Sequence, residues 1–257
     1  MLENEVVPQI EYFINKSGAT VVAGKISIPD YVNSIKVDVG LSGNAPQSKV
    51  WIDANPNALV FGFEPLSMNI KMISERTSSW PIRLNPKHIG RSIYLLPVAL
   101  YSKTLNHKLK MKITDKDSGS SSLLDSTNLS QSTWEYVPVF QLDDFMEYID
   151  FERFKFIEYV KIDAQGMDFE VIRGTKKYLK KVCFITAELD LNYFETKNSP
   201  IKLSLFMMPR GFFKIGRVTT YLLQRIFRIT INVDDPTYVN LRLLHRIRRN
   251  FYIYQKG

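Results

Sequence analysis

Two glycines and two acidic residues in the first quarter of the chain have the types and spacing of a nucleotide-type cofactor site. Asp38 and Gly40 lie at the end of the apolar stretch Ile35–Val39, Gly43 follows, and Glu64 ends the next apolar run. Glycine lets the backbone turn sharply and approach a ligand closely. In doubly wound folds a carboxylate about 20 residues further on accepts hydrogen bonds from a ribose diol. The pattern predicts a cofactor site at the edge of a parallel sheet.

The same residues narrow the choice of cofactor. The glycines are spaced G-x-x-G and no G-x-x-x-x-G-K-[ST] occurs, so the chain lacks a P-loop and gives a pyrophosphate cradle little support. Asp38, two residues before Gly40, suits a ligand with a cationic amino-acid tail. S-adenosylmethionine has such a tail and a ribose diol for Glu64, and we predict it as the cofactor. The alternative is that Asp38 caps the next helix and Glu64 is a solvated strand end.

Composition limits the class of protein. A chain of 257 residues with 45% apolar residues fits one α/β domain, or one domain with an appendage. The single cysteine, Cys183, excludes a disulfide framework, lies in an apolar run, and is predicted to be a core residue in a reducing compartment. We find no signal-peptide pattern at the N-terminus and no apolar run of membrane-spanning length, and we therefore expect a cytoplasmic protein.

The charge is unevenly distributed. The net charge is +8, yet from Ile201 onward there are 11 Lys and Arg against 2 Asp and Glu. Four arginines cluster there beside aromatic residues, namely Arg242, Arg246, Arg248 and Arg249. Such a segment can bind nucleic acid, an anionic membrane surface or a phosphorylated substrate. The alternative is an ordinary solvated basic face. We divide the chain into a lead-in of residues 1–33, a domain of residues 34–233 and a basic segment of residues 234–257.

Strands and helices alternate along the chain, which predicts a doubly wound, mostly parallel sheet with helices on both faces. Asp143 and Asp168 are predicted helix caps, the latter for a helix over Phe169–Lys180. The predicted strands include Ile35–Val39, Leu59–Phe63, Ile93–Leu96 continued by Val98–Leu100, Trp134–Phe140, Phe156–Asp163, Val182–Ala187, Phe212–Val218 and Phe227–Val233.

Four acidic residues fall at predicted strand C-terminal ends, namely Asp38, Glu64, Asp163 and Glu188. In open α/β sheets this edge carries the ligand site, so their shared position indicates an enzyme. The Ser-rich stretch Asp115–Ser132 has little apolar periodicity and is predicted to be a flexible lid or substrate loop. The three histidines are widely spaced without a metal-ligand pattern, and we predict no metal site.

With these blocks in place the chain resembles the FkbM-type methyltransferases, a branch of the class I S-adenosylmethionine-dependent enzymes. The resemblance covers about residues 35 to 190. It rests on Val37-Asp-Val-Gly40, Phe61-Gly-Phe-Glu-Pro65, Pro97-Val-Ala-Leu100-Tyr-Ser102, Gln141-Leu-Asp-Asp-Phe145, Val160-Lys-Ile-Asp-Ala-Gln-Gly166 and Thr186-Ala-Glu188.

The resemblance implies a seven-stranded Rossmann-like fold and methyl transfer to a hydroxyl of a sugar, glycan or other small acceptor. It implies that Asp38 and Gly40 line the methionine end, that Glu64 holds the ribose, that Ala99 and Leu100 flank the adenine, and that Asp163 faces the transferred methyl group or the acceptor. We add Gly43 and Pro65 to the predicted cofactor site, and Ser121, Ser122 and Gln165 as predicted substrate contacts. Asp163 is our candidate for the catalytic base, and the alternative is that it caps the following helix turn.

Two other functions stay open. A nucleic-acid methyltransferase would use the basic C-terminal segment. A non-catalytic cofactor-binding module would have lost the chemistry, and Gln165 supports it, because many family members have a glutamate in this place and an amide cannot act as a base.

Overall fold

The computed structural model describes residues 6–115, 118–126, 128–188, 199–216, 219, 222–225 and 235–244. The helices are α1 (Ile10–Lys16), α2 (Pro46–Ala54), α3 (Ser67–Glu75), α4 (Leu142–Met146), α5 (Asp168–Arg173) and α6 (Pro200–Met207). The strands are β1 (Val21–Val22), β2 (Lys25–Ile26), β3 (Ser34–Val39), β4 (Ala58–Phe63), β5 (Ile93–Leu96), β6 (Ala99–Leu100), β7 (Leu109–Ile113), β8 (Thr133–Val137), β9 (Val139–Phe140), β10 (Ile157–Ile162), β11 (Val182–Ala187), β12 (Phe212–Ile215) and β13 (Thr237–Asn240).

A seven-stranded sheet with the order β12-β13-β11-β10-β3-β4-β5 forms the centre of the molecule. The neighbours from β11 to β5 pair in parallel. At the other edge β13 pairs antiparallel with both β11 and β12. The sheet is therefore mixed, which corrects the prediction of a mostly parallel one. The reason is that β13, which lies between β11 and β12, runs in the direction opposite to both.

The central strands are buried along their whole length. Every residue of β3, β4, β5 and β11 is buried, including the polar Lys36 and Asp38 of β3. Parallel strands are covered on both faces by crossover helices, so they have near-continuous apolar sequences and not an alternating pattern. This burial is the reason that the apolar runs in the sequence located these strands correctly.

Two hydrophobic layers cover the two faces of the sheet, as predicted. One layer joins residues of α1, α4, α5 and α6 to side chains such as Phe61 and Val160. The other joins Trp51 of α2 and Ile73 of α3 to Val60, Tyr159 and Cys183. Cys183 is a buried free thiol, so its prediction as a core residue is confirmed.

Prolines interrupt two of the predicted strands. Pro97 separates β5 from β6, and Pro138 separates β8 from β9. Proline has no N–H to donate to a neighbouring strand. The pairing of each predicted strand with its first neighbouring strand therefore ends at the proline. β6 then pairs with β9, and β7 pairs with β8, in two small sheets outside the main one. Residues of these small sheets line one side of the candidate site.

Three helix predictions were wrong. The helix after β10 begins at Asp168 and ends at Arg173, so it stops short of Lys180, and its N-cap is Met167 and not Asp168. An added Cβ on Gly174 would lie 2.2 Å from the carbonyl oxygen of Tyr101, so only glycine fits directly after this helix. Gln141, and not Asp143, caps α4, in a capping box with Asp144. Asp143 instead accepts hydrogen bonds from the backbone amides of Lys177 and Tyr178. The predicted strand Phe227–Val233 lies outside the described residues.

Candidate active site

The four acidic residues meet at one edge of the sheet, as their positions in the sequence predict. Glu64, Asp163 and Glu188 directly follow β4, β10 and β11, and Asp38 is the second-last residue of β3. The backbone amide of Asp163 donates to Val39 O at 2.9 Å, and that of Glu188 donates to Ile162 O at 3.0 Å. These bonds extend the parallel ladders by one residue and fix the acids at the strand ends.

A cleft with about 530 Å³ of open space lies above this edge. Two acids, Glu64 and Asp163, line it, and no Lys, Arg or His is among its lining residues in the part of the chain that the structure describes. The cleft therefore favours a ligand that is neutral or positively charged.

Glu64 is buried in the wall of this cleft, with only 3% of its surface exposed. Its Oε1 accepts hydrogen bonds from the amide of Leu66 at 3.0 Å and from Asn69 Nδ2 at 3.1 Å. Burial raises the pKa of the Glu64 carboxyl to about 7, although these donors and the amides of Leu41 and Ser42 lower it. The prediction of a solvated strand end is thereby excluded for Glu64.

Gly40 allows two strand ends to touch. Its φ is +77°, and an added Cβ would lie 1.9 Å from the carbonyl oxygen of Asp163. Only glycine adopts this conformation without strain and without that overlap. Gly43 makes a different contact, since an added Cβ there would lie 2.9 Å from the terminal methyl of Met72 in α3. Gly40 lines the cleft, whereas Gly43 is not among its lining residues.

Asp38 lies behind the cleft and does not line it. It is 1% exposed and accepts a hydrogen bond from Ser48 Oγ in α2 at 2.6 Å. Its Oδ1 is buried and has no hydrogen-bond partner within the described residues. Burial raises the pKa of the Asp38 carboxyl, and the Lys161 ammonium opposes this change. Asp38 does not cap α2, whose N-cap is Ala45.

Lys161 links the acids of the site. It stands opposite Asp38 in the pairing of β10 with β3. Its Nζ donates to Asp163 Oδ2 at 2.8 Å and reaches Gly40 O at 3.5 Å. Burial alone would lower the pKa of Lys161, but the attraction of Asp163 and Asp38 raises it, so the side chain stays cationic.

Asp163 and Glu188 form a coupled pair of carboxyls. Burial would raise the pKa of Asp163, but the charge and hydrogen bond of Lys161 lower it, together with donation from Gln165 Nε2 at 2.6 Å. The pKa of Glu188 is raised by burial and by the negative charge of Asp163, to which it is hydrogen bonded. Asp163, which lines the cleft, is therefore the more acidic carboxyl of the pair, and Glu188 is the one that binds a proton more readily.

The remaining predicted site residues form the other walls. Pro65, Ala99 and Leu100 line the cleft and give it an apolar side. Gln165 lines it with a left-handed backbone, φ 48°. The structure brings these four residues together with Gly40, Glu64 and Asp163.

The Ser-rich stretch packs against the cleft. Ser121 lines it, and the Ser121 hydroxyl accepts from the amide of Thr114 at 3.1 Å. Ser122 is 1% exposed and donates to Gln165 O at 2.7 Å, so it supports the backbone of a residue that lines the cleft. Ser118 donates to Asn69 Oδ1 at 2.6 Å. Since Asn69 in turn donates to Glu64, the stretch is connected to the buried carboxylate.

Lys161, Asn69 and Ser118 are site residues that the sequence analysis missed. A lysine inside the apolar run Tyr159–Ile162 is a readable signal, because an unpaired charge is rarely buried. Asn69 and Ser118 give no such signal, since polar residues in a helix and a loop are ordinarily exposed. His88 does not line the cleft. His245, Arg246, Arg248 and Arg249 lie outside the described residues.

The fold and the site define a methyltransferase-like α/β domain, and the comparison with protein families agrees. The family model of the methyltransferase FkbM domain matches residues 43–229. The chain therefore belongs to the FkbM methyltransferase domain family, and it carries a methyltransferase domain. The match includes Glu64 and Asp163, whereas Asp38 and Gly40 precede it.

No curated protein and no solved structure gives a significant match. Among the helices in the described ranges, none has the length and apolar character needed to cross a membrane. In the same ranges, no three His, Cys, Asp or Glu side chains are grouped as metal ligands would be.

Proposed function

We propose that the chain is an S-adenosylmethionine-dependent O-methyltransferase acting on a sugar, a glycan or another small hydroxylated acceptor. The observation that carries the proposal is the charge of the cleft, which is lined by two carboxylates and by no basic side chain among the described residues. S-adenosylmethionine carries a sulfonium, an ammonium and a ribose diol, and these groups are complementary to carboxylates. The same lining disfavours a phosphate backbone and so argues against a nucleic-acid acceptor.

The residues present fit this cofactor. The buried Glu64 carboxylate would accept hydrogen bonds from the ribose diol, next to Pro65. Ala99 and Leu100 supply a flat apolar side suited to adenine. The backbone at Gly40 would lie at the methionine end, where no side chain obstructs it. Asp38 and Gly43, which lie behind the cleft, would hold the turn in place through Ser48 and Met72.

The chain's contribution to chemistry would be alignment and proton acceptance. When bound, the cofactor supplies a methyl group on a positively charged sulfur, which leaves as a neutral thioether. Holding donor and acceptor in line is worth roughly 7–11 kcal/mol in favourable cases. Asp163 would accept the hydrogen bond of the acceptor hydroxyl, and the Asp163–Glu188 pair would take its proton as the methyl group is transferred. A positioned base contributes typically about 10²–10⁴-fold.

The acceptor would enter past the Ser-rich wall. Gln165 and Ser121 line the cleft on that side, next to Asp163, and Ser122 holds the backbone of Gln165. Their amide and hydroxyl groups suit a hydroxylated acceptor, since both donate and accept hydrogen bonds. Gln165 itself would position Asp163 through its 2.6 Å hydrogen bond and would not act as the base.

A reducing, cytoplasmic setting is part of the proposal. It rests on the buried free thiol of Cys183, which contributes to the core as an apolar residue. Burial raises the pKa of this thiol, so it stays in the unreactive protonated form.

Calorimetric titration with S-adenosylmethionine and its demethylated product tests the cofactor assignment. We expect Glu64→Ala to weaken binding by about 10²-fold, because two hydrogen bonds to a charged group are lost. Glu75→Ala is the matched control, since Glu75 is an exposed carboxylate at the end of α3 with 53% of its side chain accessible. Absence of binding to the unmodified chain would refute the assignment.

An acceptor screen then separates an enzyme from a binding module. Formation of the demethylated product in the presence of sugars, glycans or small alcohols would establish transfer to oxygen. Cofactor binding with no turnover on any of these acceptors would contradict the O-methyltransferase and favour the non-catalytic module.

A further inference from the structure

A second cavity is lined by residues that do not line the cleft. It has about 460 Å³ of open space and lies between α2, the residue after α3 and the loop before β5. Neither Glu64 nor Asp163 is among its lining residues, so it is a separate concave surface.

The cavity is strongly basic. Four basic side chains line it, namely Lys49, Arg76, Arg83 and Lys87. Asp53 is the one acid among its lining residues in the described part of the chain, and it forms an ion pair with Lys49. The surplus of positive charge is large for one small concave surface.

Arg83 is held in the lining of this cavity by hydrogen bonds. Its Nη1 donates to the carbonyl oxygens of Ser78 at 2.8 Å and Arg76 at 3.4 Å, which places the guanidinium beside the end of α3. Its Nε is buried and has no hydrogen-bond partner within the described residues. Arg83 is therefore a fixed cation in the lining of the cavity.

Neutralisation of helix ends explains part of the charge but not all of it. Cations near the C-termini of α2 and α3 are favourable because each end carries a partial negative charge. Arg83 meets part of that need at α3, since its Nη1 contacts the carbonyl oxygen of the C-cap residue Arg76. Lys87 lies outside both helices, in the turn Pro86–His88, and still lines the cavity.

We propose that this cavity binds a phosphate or diphosphate group of a small ligand. The guanidinium and ammonium donors are the groups that recognise phosphate oxygens. The basic lining is confined to one concave surface, which suits a small molecule, whereas a nucleic-acid strand would need an extended basic groove. The site is independent of the proposed methyl transfer and stands if that proposal fails.

His88 supplies a direct readout of occupancy. It lines the cavity, and its Nδ1 lies 3.5 Å from Ser92 Oγ. Burial and the charges of Lys87 and Lys49 lower the pKa of His88, and Asp53 raises it. A bound phosphate group would add negative charge beside the imidazole and raise the pKa of His88, which proton NMR of the three histidines can follow.

The experiment is a titration of the full chain with inorganic pyrophosphate at constant ionic strength, read by calorimetry and by the NMR titration of His88. We expect saturable binding, an upward shift of the His88 titration, and a loss of about tenfold in affinity for each of Arg76→Gln and Lys87→Gln. Lys71→Gln is the control, because Lys71 is an exposed lysine of α3, 72% accessible, outside the cavity.

Two results would overturn the proposal. One is the absence of saturable binding to the unmodified chain. The other is an equal loss in Lys71→Gln and in the cavity variants, which would indicate diffuse attraction. Inorganic phosphate and a nucleoside diphosphate, titrated in the same way, identify the source of the group. Equal affinity for the nucleoside diphosphate and pyrophosphate would mean that the anion alone is recognised.

Discussion

The stability of the fold should depend on pH through Glu64, and Glu64→Gln should remove that dependence. The pKa of Glu64 is about 7 in the folded chain, compared with 4.5 for the free side chain, mainly because of burial. A raised pKa means that the folded state binds the proton more tightly than the unfolded state. The contribution to stability is therefore complete below about pH 4.5 and is lost as the pH rises through 7.

The magnitude follows from these two pKa values. Integration of the proton linkage gives about 2.5 kcal/mol of stability at pH 5 and almost none at pH 8. Other groups also titrate in this interval, Glu188 among them, so the wild-type curve alone does not isolate Glu64. The glutamine variant keeps the shape of the side chain and cannot ionise. The difference in stability between wild type and variant should therefore change by about 2.5 kcal/mol between pH 5 and pH 8, in favour of the variant.

Reversible urea unfolding of both chains at pH 5 and pH 8 measures this double difference. Glu75→Gln gives the corresponding value for an exposed carboxylate of α3. A change smaller than about 0.5 kcal/mol in the Glu64→Gln comparison would refute the reasoning, because it would mean that the carboxyl is solvated in the folded chain. The same variant should bind S-adenosylmethionine more weakly at pH 8, so stability and binding should change in opposite directions.

Three further predictions concern the turn, the candidate base and the Ser-rich wall. Gly40→Ala should destabilise the fold by more than about 2 kcal/mol, as measured by urea unfolding. Gly24→Ala, at φ +73° with no atom within 4 Å of its added Cβ, should cost only the strain of its backbone; equal losses would contradict the contact with Asp163. Asp163→Asn should lower turnover by about 10²-fold or more while cofactor affinity changes little, and unchanged turnover would remove Asp163 as the base. Ser118→Ala should weaken cofactor binding several-fold by calorimetry, since one hydrogen bond, worth about 1 kcal/mol, to Asn69 is lost; unchanged affinity would mean that this wall does not support Glu64.

The sequence located the strand ends because burial there is nearly complete. Apolar runs that end in an acid or a glycine mark both the strand and its boundary, and Glu64 and Asp163 follow from that pattern. The strand β13 was not predicted at all, and its direction was also beyond reach, because nothing in Thr237–Asn240 distinguishes a parallel from an antiparallel neighbour of β11. Asp143 was assigned to the wrong partner for a related reason. Its contacts with Lys177 and Tyr178 span more than thirty residues and depend on the packing of α4.

The contacts of the candidate site were harder to predict than its location. Sequence spacing placed Asp38 and Glu64 in one site, but it did not show that Asp38 lies behind the cleft and Glu64 in its wall. Asp38 stands opposite Gly62 in the pairing of β3 with β4, so Glu64 lies two residues further along and reaches the cleft, whereas Asp38 is still inside its strand. Lys161 illustrates the same point, since its importance comes from standing opposite Asp38 in the register of β10 and β3.

Opposite charges are separated into two different concave surfaces, and this separation constrains the acceptor. The cleft at the strand ends is lined by Glu64 and Asp163, and Lys161 behind them is only 11% exposed at its side chain. The second cavity, between α2, the residue after α3 and the loop before β5, has the basic lining. A net charge of +8 therefore describes neither site. Carboxylates that attract a sulfonium also repel a phosphate, so any phosphate on the acceptor must point away from Glu64 and Asp163. We accordingly expect the reacting end of the acceptor to be uncharged and hydroxylated.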